Sequence, residues 1–174
     1  MSLKTDKLDY KADNYYMVLQ YAGNSDLEYY LNAHFSKLDW PSKIRMAKEI
    51  SNGIDCLHSA NIVHRDLYLP NSCEYKWDKH SDIYSLGVLF WELSSGVALY
   101  KAFKNKLTRI SMHLIRGNRE TPIIRTPVDF KILYDTAWDG DPDNRPDIRK
   151  ICKKLNDIRL EQVFYYFYEI FQEM

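Results

Sequence analysis

His64-Arg65-Asp66-Leu67-Tyr68-Leu69-Pro70-Asn71 is the stretch on which the reading of this 174-residue chain turns. It gathers an imidazole, a guanidinium, a carboxylate and a carboxamide within a few residues. Ile62-Val63 leads into it, and the short segment 72–80 separates it from a long apolar pattern that opens at Ser81. An isolated His-Arg-Asp is common in loops, so its surroundings decide what it means.

On the N-terminal side lies the clearest amphipathic helix. Asp39-Trp40-Pro41 opens it, with Asp39 as N-cap and Pro41 in the first turn, where a missing N–H is tolerated. Ile44, Ala47, Ile50, Ile54 and Leu57 recur at spacings of three and four, which places one stripe against a core. The pattern ends near Ser59-Ala60-Asn61. On the C-terminal side, residues 81–93 are apolar on nearly every side, as expected of a helix buried all round, and Ser94-Ser95-Gly96 stops it.

Leu107, Ile110, Leu114 and Ile115 suggest a further helix, and residues 127–138 another. Asp139-Gly140-Asp141-Pro142 is a strong turn signal, after which Pro146 starts a helix carrying Ile148, Ile151, Leu155 and Ile158. Toward the N-terminus, Tyr15-Tyr16-Met17-Val18-Leu19-Gln20-Tyr21 reads as a buried strand broken by Ala22-Gly23-Asn24. Ser25 or Asp26 can cap a short helix through Leu27, Tyr30 and Leu31. The expected organisation is a loose lead-in over 1–14, one domain over 15–160, and a tail over 161–174 whose stretch 163–171 is crowded with aromatics. That tail either packs back on the domain or forms a docking or self-association surface, because a large apolar patch is seldom left bare.

Composition narrows the classes. Hydrophobic residues make up 45% and charged residues 28%, the mix of a globular domain able to bury a single core. Lys+Arg and Asp+Glu both number 24, with no basic cluster, so nucleic acid is not an expected partner. Cys56, Cys73 and Cys152 form no C-x-x-C, which argues against a disulfide framework or a zinc site and for a reducing compartment. No signal-peptide core and no membrane-length apolar run occurs, so no membrane association is expected and the location is read as cytoplasmic or nuclear.

Taken in order, these features resemble the lower lobe of a protein kinase. The opening stretch matches the family's H-R-D-L-x-x-x-N catalytic loop. Residues 16–30 look like the strand, hinge and first helix between the lobes, and residues 40–57 like the helix before the loop. Ser81-Asp82-Ile83-Tyr84-Ser85-Leu86-Gly87-Val88 matches the start of the central buried helix. Trp138-Asp139-Gly140-Asp141-Pro142-Asp143-Asn144-Arg145-Pro146 matches the W-x-x-x-P-x-x-R-P turn. The wording is closest to the tyrosine-kinase-like group of serine/threonine kinases.

The resemblance implies a mainly α fold, kinase C-lobe-like, with helices around a central helix at about 81–95 and a short N-terminal β strand. It makes Asp66 the catalytic base and Asn71 a metal ligand, with His64 and Arg65 as structural support. Asp82 would orient the loop by accepting hydrogen bonds from the His64-Arg65 backbone. Leu19, Gln20, Tyr21 and Ala22 would line the adenine side of an ATP site, with Mg as companion ion.

The departures carry as much. The six glycines, at 23, 53, 87, 96, 117 and 140, never make a G-x-G-x-x-G, and nothing resembling V-A-I-K precedes Tyr15. Between Asn71 and Ser81 there is neither Asp-Phe-Gly nor Ala-Pro-Glu. Asp129-Phe130-Lys131 lies beyond the central helix and reads as core. Tyr68 stands where serine/threonine kinases often place Lys or His. The leading expectation is therefore a truncated, pseudokinase-like binding module with impaired phosphotransfer, meeting protein partners through an exposed lobe face or the aromatic tail. The alternatives are an active serine/threonine or tyrosine kinase completed by a fuller transcript or a partner, and a fragment without function. Arg145, deprived of the family's Ala-Pro-Glu carboxylate, is expected to be exposed or to have a substitute carboxylate.

Overall fold

Among the residues described by the computed structural model, which are 23, 26–65, 78–97, 121, 123 and 126–160, four of five α-helices begin at an aspartate. A carboxylate there accepts an N–H that the helix cannot satisfy and sits at the positive end of the helix dipole. Helix α1, Leu27–His34, is capped by Asp26, which takes the Tyr29 N–H at 2.8 Å. Helix α2, Trp40–Ser59, is capped by Asp39 through the Ser42 N–H at 2.9 Å, with Pro41 in its first turn. Helix α3 spans Lys79–Ser95, α4 Val128–Ala137 and α5 Ile148–Asp157, the last capped by Asp147. Single 3-10 turns cover Phe35–Lys37 and Pro142–Asn144.

Helix α3 begins two residues before the apolar pattern does. Asp78 accepts the N–H of Ser81 while the Ser81 hydroxyl accepts the N–H of Asp78, a reciprocal capping box that moves the start to Lys79. From there α3 runs through the centre of the core, with Leu86, Val88, Phe90 and Leu93 fully buried. Burying each such side chain contributes about 1.5–3 kcal/mol relative to leaving it in water. Helix α4 packs along one side, bringing Phe130 to 5.5 Å from Phe90 and Trp138 to 6.4 Å from Trp91, ring centre to ring centre. Gly87 permits that approach, since a Cβ there would stand 2.8 Å from the Trp138 backbone nitrogen. At the far end Gly96 takes φ 70°, the left-handed cap that glycine adopts without strain, and the Phe35 ring fills the space a Cβ would need.

Helix α2 packs on α3 and α5. Its buried face is Ile44, Ala47, Ser51, Ile54 and His58, so the stripe continues through two polar residues, while Ile50 and Leu57 are half-buried beside it. The Ser51 hydroxyl is satisfied by the Ala47 carbonyl at 2.7 Å. Lys43 is also buried, its ammonium 3.8 Å from the Phe35 ring centre and 4.9 Å from that of Trp40. Burial pushes its pKa below the ordinary lysine value, and the two ring faces offset part of that cost.

The described fold is thus mainly helical around α3, as the family pattern implied, and no strand occurs among the described residues. The strand expected over 15–21, the helix suggested by residues 107–115 and the aromatic tail lie outside the described residues. Phe130 is fully buried in the core as expected, whereas Asp129 beside it is exposed.

Of the two outcomes expected for Arg145, exposure does not occur. The residue is only 7% exposed, and the described partners of its guanidinium are carbonyl oxygens. Nε donates to Asp139 O at 2.8 Å, Nη1 to His80 O at 3.0 Å and Nη2 to Gly140 O at 3.4 Å, with the group 4.9 Å from the Tyr84 ring centre. A planar fork of five donors can be answered by converging carbonyls and an aromatic face, an option that considering only carboxylates overlooked.

Candidate functional site

The chemistry-bearing end of the molecule lies where the last turn of α2 meets the first turn of α3. Helix α2 stops at Ala60, and Asn61 takes φ 57°, a left-handed conformation that asparagine tolerates. The chain then continues without regular structure through Ile62 and Val63 to His64 and Arg65. Arg65 has φ 69°, and for a long side chain this conformation costs about 1–2 kcal/mol. Such strain persists only where neighbours fix it, and here the neighbour is Asp82.

Asp82 sits on the first turn of α3 and is 1% exposed. Its Oδ2 accepts the His64 N–H at 2.8 Å, and its Oδ1 accepts the Arg65 N–H at 3.0 Å. Oδ2 also faces His58 Nε2 at 2.8 Å, and a proton on that nitrogen donates to it. Three donors converge on one buried carboxylate, which repays the cost of removing it from water. The geometry places Asp82 against the two backbone groups that the family pattern assigned to it. His58 is a third donor that the pattern did not name.

A second tie lies beside the first. Lys79 Nζ donates to the His58 carbonyl at 2.7 Å and to Asn61 Oδ1 at 3.0 Å. One lysine thus answers both the open C-terminus of α2 and the left-handed residue beyond it. Sequence reasoning missed both His58 and Lys79. His58 was detectable, because it stands four residues after Ile54 on the buried stripe; the Lys79 contact spans 21 residues in sequence and leaves no local signal.

The remaining site residues, Asp66, Asn71, Leu19, Gln20, Tyr21 and Ala22, lie outside the described residues. Among the described residues no group of three or more His, Cys, Asp or Glu side chains could hold a metal ion. Asp78 and Asp82 are the first described carboxylates downstream of the loop, and the lone pairs of Asp82 are directed at three N–H donors. Asp78 is committed to capping α3. Neither fits the part of a second magnesium ligand.

The family model for protein tyrosine and serine/threonine kinases matches residues 7–73 and 69–155, two segments that overlap at 69–73. Cyclic GMP-binding protein C of Dictyostelium discoideum is 23% identical over 192 aligned residues, covering 82% of this chain and 7% of that protein. Megakaryocyte-associated tyrosine-protein kinase of Rattus norvegicus is 26% identical, covering 80% of this chain and 38% of that one. Mitogen-activated protein kinase kinase kinase 10 of Homo sapiens is 34% identical over 89 residues, covering 51% of this chain and 9% of that protein. The chain therefore spans well under half the length of these relatives. No helix among the described residues is long and apolar enough to cross a membrane. With the family model matched from residue 7 to residue 155 and the central helix gripping the His64-Arg65 backbone, the chain belongs to the protein tyrosine and serine/threonine kinase family.

Proposed function

We propose that this chain is a kinase lower lobe that works by binding and has little or no phosphotransfer activity. The observation that carries this reading is internal to the sequence. The connection between Asn71 and α3 holds no Asp-Phe-Gly and no Ala-Pro-Glu, although the helix that follows it keeps the family's contacts to the loop. The aligned length of 192 positions with the Dictyostelium protein exceeds the whole chain, which supports the view that relatives carry segments this chain lacks.

Phosphoryl transfer relies on positioning and on stabilisation of charge by metal ions and cations. Removing one preorganised charge-stabilising group typically costs about 3 kcal/mol, roughly two powers of ten in rate. Asp66 as base and Asn71 as one metal ligand add little when the partner carboxylate is absent. Weak or absent binding of ATP and Mg follows from the same loss. In this reading the physiological ligand is a protein, taken up by an exposed face of the lobe or by the aromatic stretch 163–171.

The test is ADP release by the purified chain with Mg-ATP, beside its Asp66→Ala variant, together with a thermal melt in Mg-ATP. The expected result is a common background rate and an unchanged melting temperature. Turnover abolished by Asp66→Ala overturns the proposal. One observation favours a second reading, an active kinase whose missing groups come from a longer product or a partner: the Asp82 grip is retained next to Asp66 and Asn71. A transcript that encodes a glycine-rich loop and Asp-Phe-Gly would establish that reading, and sequencing the message decides it.

A further inference from the structure

The balance of 24 basic and 24 acidic residues conceals a local excess on α5. The inner face of that helix, Ile148, Ile151 and Leu155, is buried in the core, so its outer side is held toward solvent in a fixed orientation. That side presents Arg149, Lys150, Lys153 and Lys154, all four exposed. Lys150 stands 3.6 Å from Asp147, while Arg149, Lys153 and Lys154 form no ion pair among the described residues. Residues four apart on a helix lie about 6 Å apart along its axis, so the cations form two rows, Arg149 with Lys153 and Lys150 with Lys154.

Two features select what such a face accepts. Exposed Asp147 and Asp157 stand three residues beyond the two ends of the Lys150–Lys154 row. A long polyanion laid along the helix therefore meets like charge on both sides of a cationic strip only about 8 Å long. The apolar side chains of α5 are spent in the core, which leaves this face nothing to insert into a lipid surface. A short acidic segment meets neither obstacle. Alternate side chains of an extended chain recur at about 6.6 Å on one face, close to the spacing within each cation row.

We propose that the outer face of α5 docks a short acidic segment of a partner protein, extended along the helix with carboxylates at alternate positions. A single exposed ion pair contributes little, so the four cations act together and their effect falls with salt. This assignment rests on the binding reading given above and names the chemistry of the partner. The two fail separately, because peptide binding to α5 and turnover lost in Asp66→Ala are independent measurements.

The test is fluorescence anisotropy of the full chain with a labelled peptide of alternating glutamate and serine. Raising salt from about 0.05 to about 0.3 M should weaken binding roughly tenfold, as expected of several exposed pairs acting together. Arg149→Glu with Lys153→Glu should weaken it by a similar factor, and the reversed face should then bind a peptide of alternating lysine and serine. Arg149→Gln with Lys153→Gln, a milder change at the same exposed positions, should weaken the acidic peptide severalfold and serves if the reversal disturbs folding. Lys37→Glu with Arg45→Glu makes the same change in net charge on exposed residues outside α5 and should leave binding unchanged. A loss in that control equal to the loss on α5 overturns the proposal. So does equal binding of a glutamine–serine peptide, an affinity unchanged by the α5 variants, or tighter binding of anionic phospholipid vesicles or a nucleic-acid oligomer than of the acidic peptide.

Discussion

At its N-terminal end α3 is held by directed polar contacts. Asp82 receives His58, His64 and Arg65, while Arg145 spans from the 139–140 turn to the His80 carbonyl. From Phe90 onward the same helix is held mainly by rings and aliphatic chains, with Phe130 against Phe90 and Phe35 beneath Gly96. The two ends have different tolerances. A packed apolar site accepts a volume-conserving exchange at less than about 1.5 kcal/mol. A buried carboxylate with three donors accepts no such exchange, because any replacement leaves donors unanswered. The polar end is also the end that carries the loop, so the contacts most sensitive to a single atom are those that position the family signature.

The largest expected effect tests that contrast directly. Asp82→Ala should lower unfolding free energy by about 3–5 kcal/mol in urea, whereas Leu93→Met should cost under about 1.5 kcal/mol. Comparable losses for the two would erase the distinction between the ends. Next in size is Gly87→Ala at the middle of α3, where the new methyl meets the Trp138 backbone nitrogen and α4 must shift. A loss of about 1–3 kcal/mol is expected, read as a lower thermal midpoint.

Tyr134→Phe should act in the opposite direction. The Tyr134 side chain is fully buried with no hydrogen-bond partner for its hydroxyl, and burial, with Asp135 nearby, pushes its pKa up to about 12. Deleting that oxygen should raise stability by about 1 kcal/mol, and a destabilised variant would show that the hydroxyl is satisfied.

The smallest effect is a pH dependence. The Ser42 hydroxyl and N–H hold the Asp39 carboxyl below its ordinary pKa, so its contribution to stability is present above about pH 4 and is lost as pH falls through the lowered folded value. Asparagine caps a helix without titrating. Melts of Asp39→Asn and the parent chain should therefore converge at acid pH, and parallel curves would remove Asp39 as a source of acid sensitivity.

Much of the frame was legible because its signals are local. Asp39 with Pro41, the all-round apolar run from Ser81, and the Asp139-to-Pro142 turn each act within a few residues, and each produced the element it predicted. Asp78 was harder to read, because its box with Ser81 depends on backbone geometry that an apolar pattern does not reveal. The Asp82 contact to the loop was legible only through the family pattern. Lys79 with His58, and Arg145 with His80, join residues far apart in sequence through carbonyl oxygens that every residue possesses. Composition cannot distinguish one carbonyl from another, so those partners had to come from the fold.

The Asp82 grip also bears on chain entropy. Because Arg65 is tied to Asp82 and Asp78 is locked to Ser81, the connection between them closes between two fixed ends. Closing a loop between fixed ends costs only about 0.6 kcal/mol more for each doubling of its length. A connection four times as long would thus cost about 1.2 kcal/mol, less than the loss expected from Asp82→Ala. The helical frame is nearly indifferent to how much chain lies between those ties. Evolution can shorten or lengthen that segment, and with it gain or lose metal-binding chemistry, while the helices on either side stay where they are.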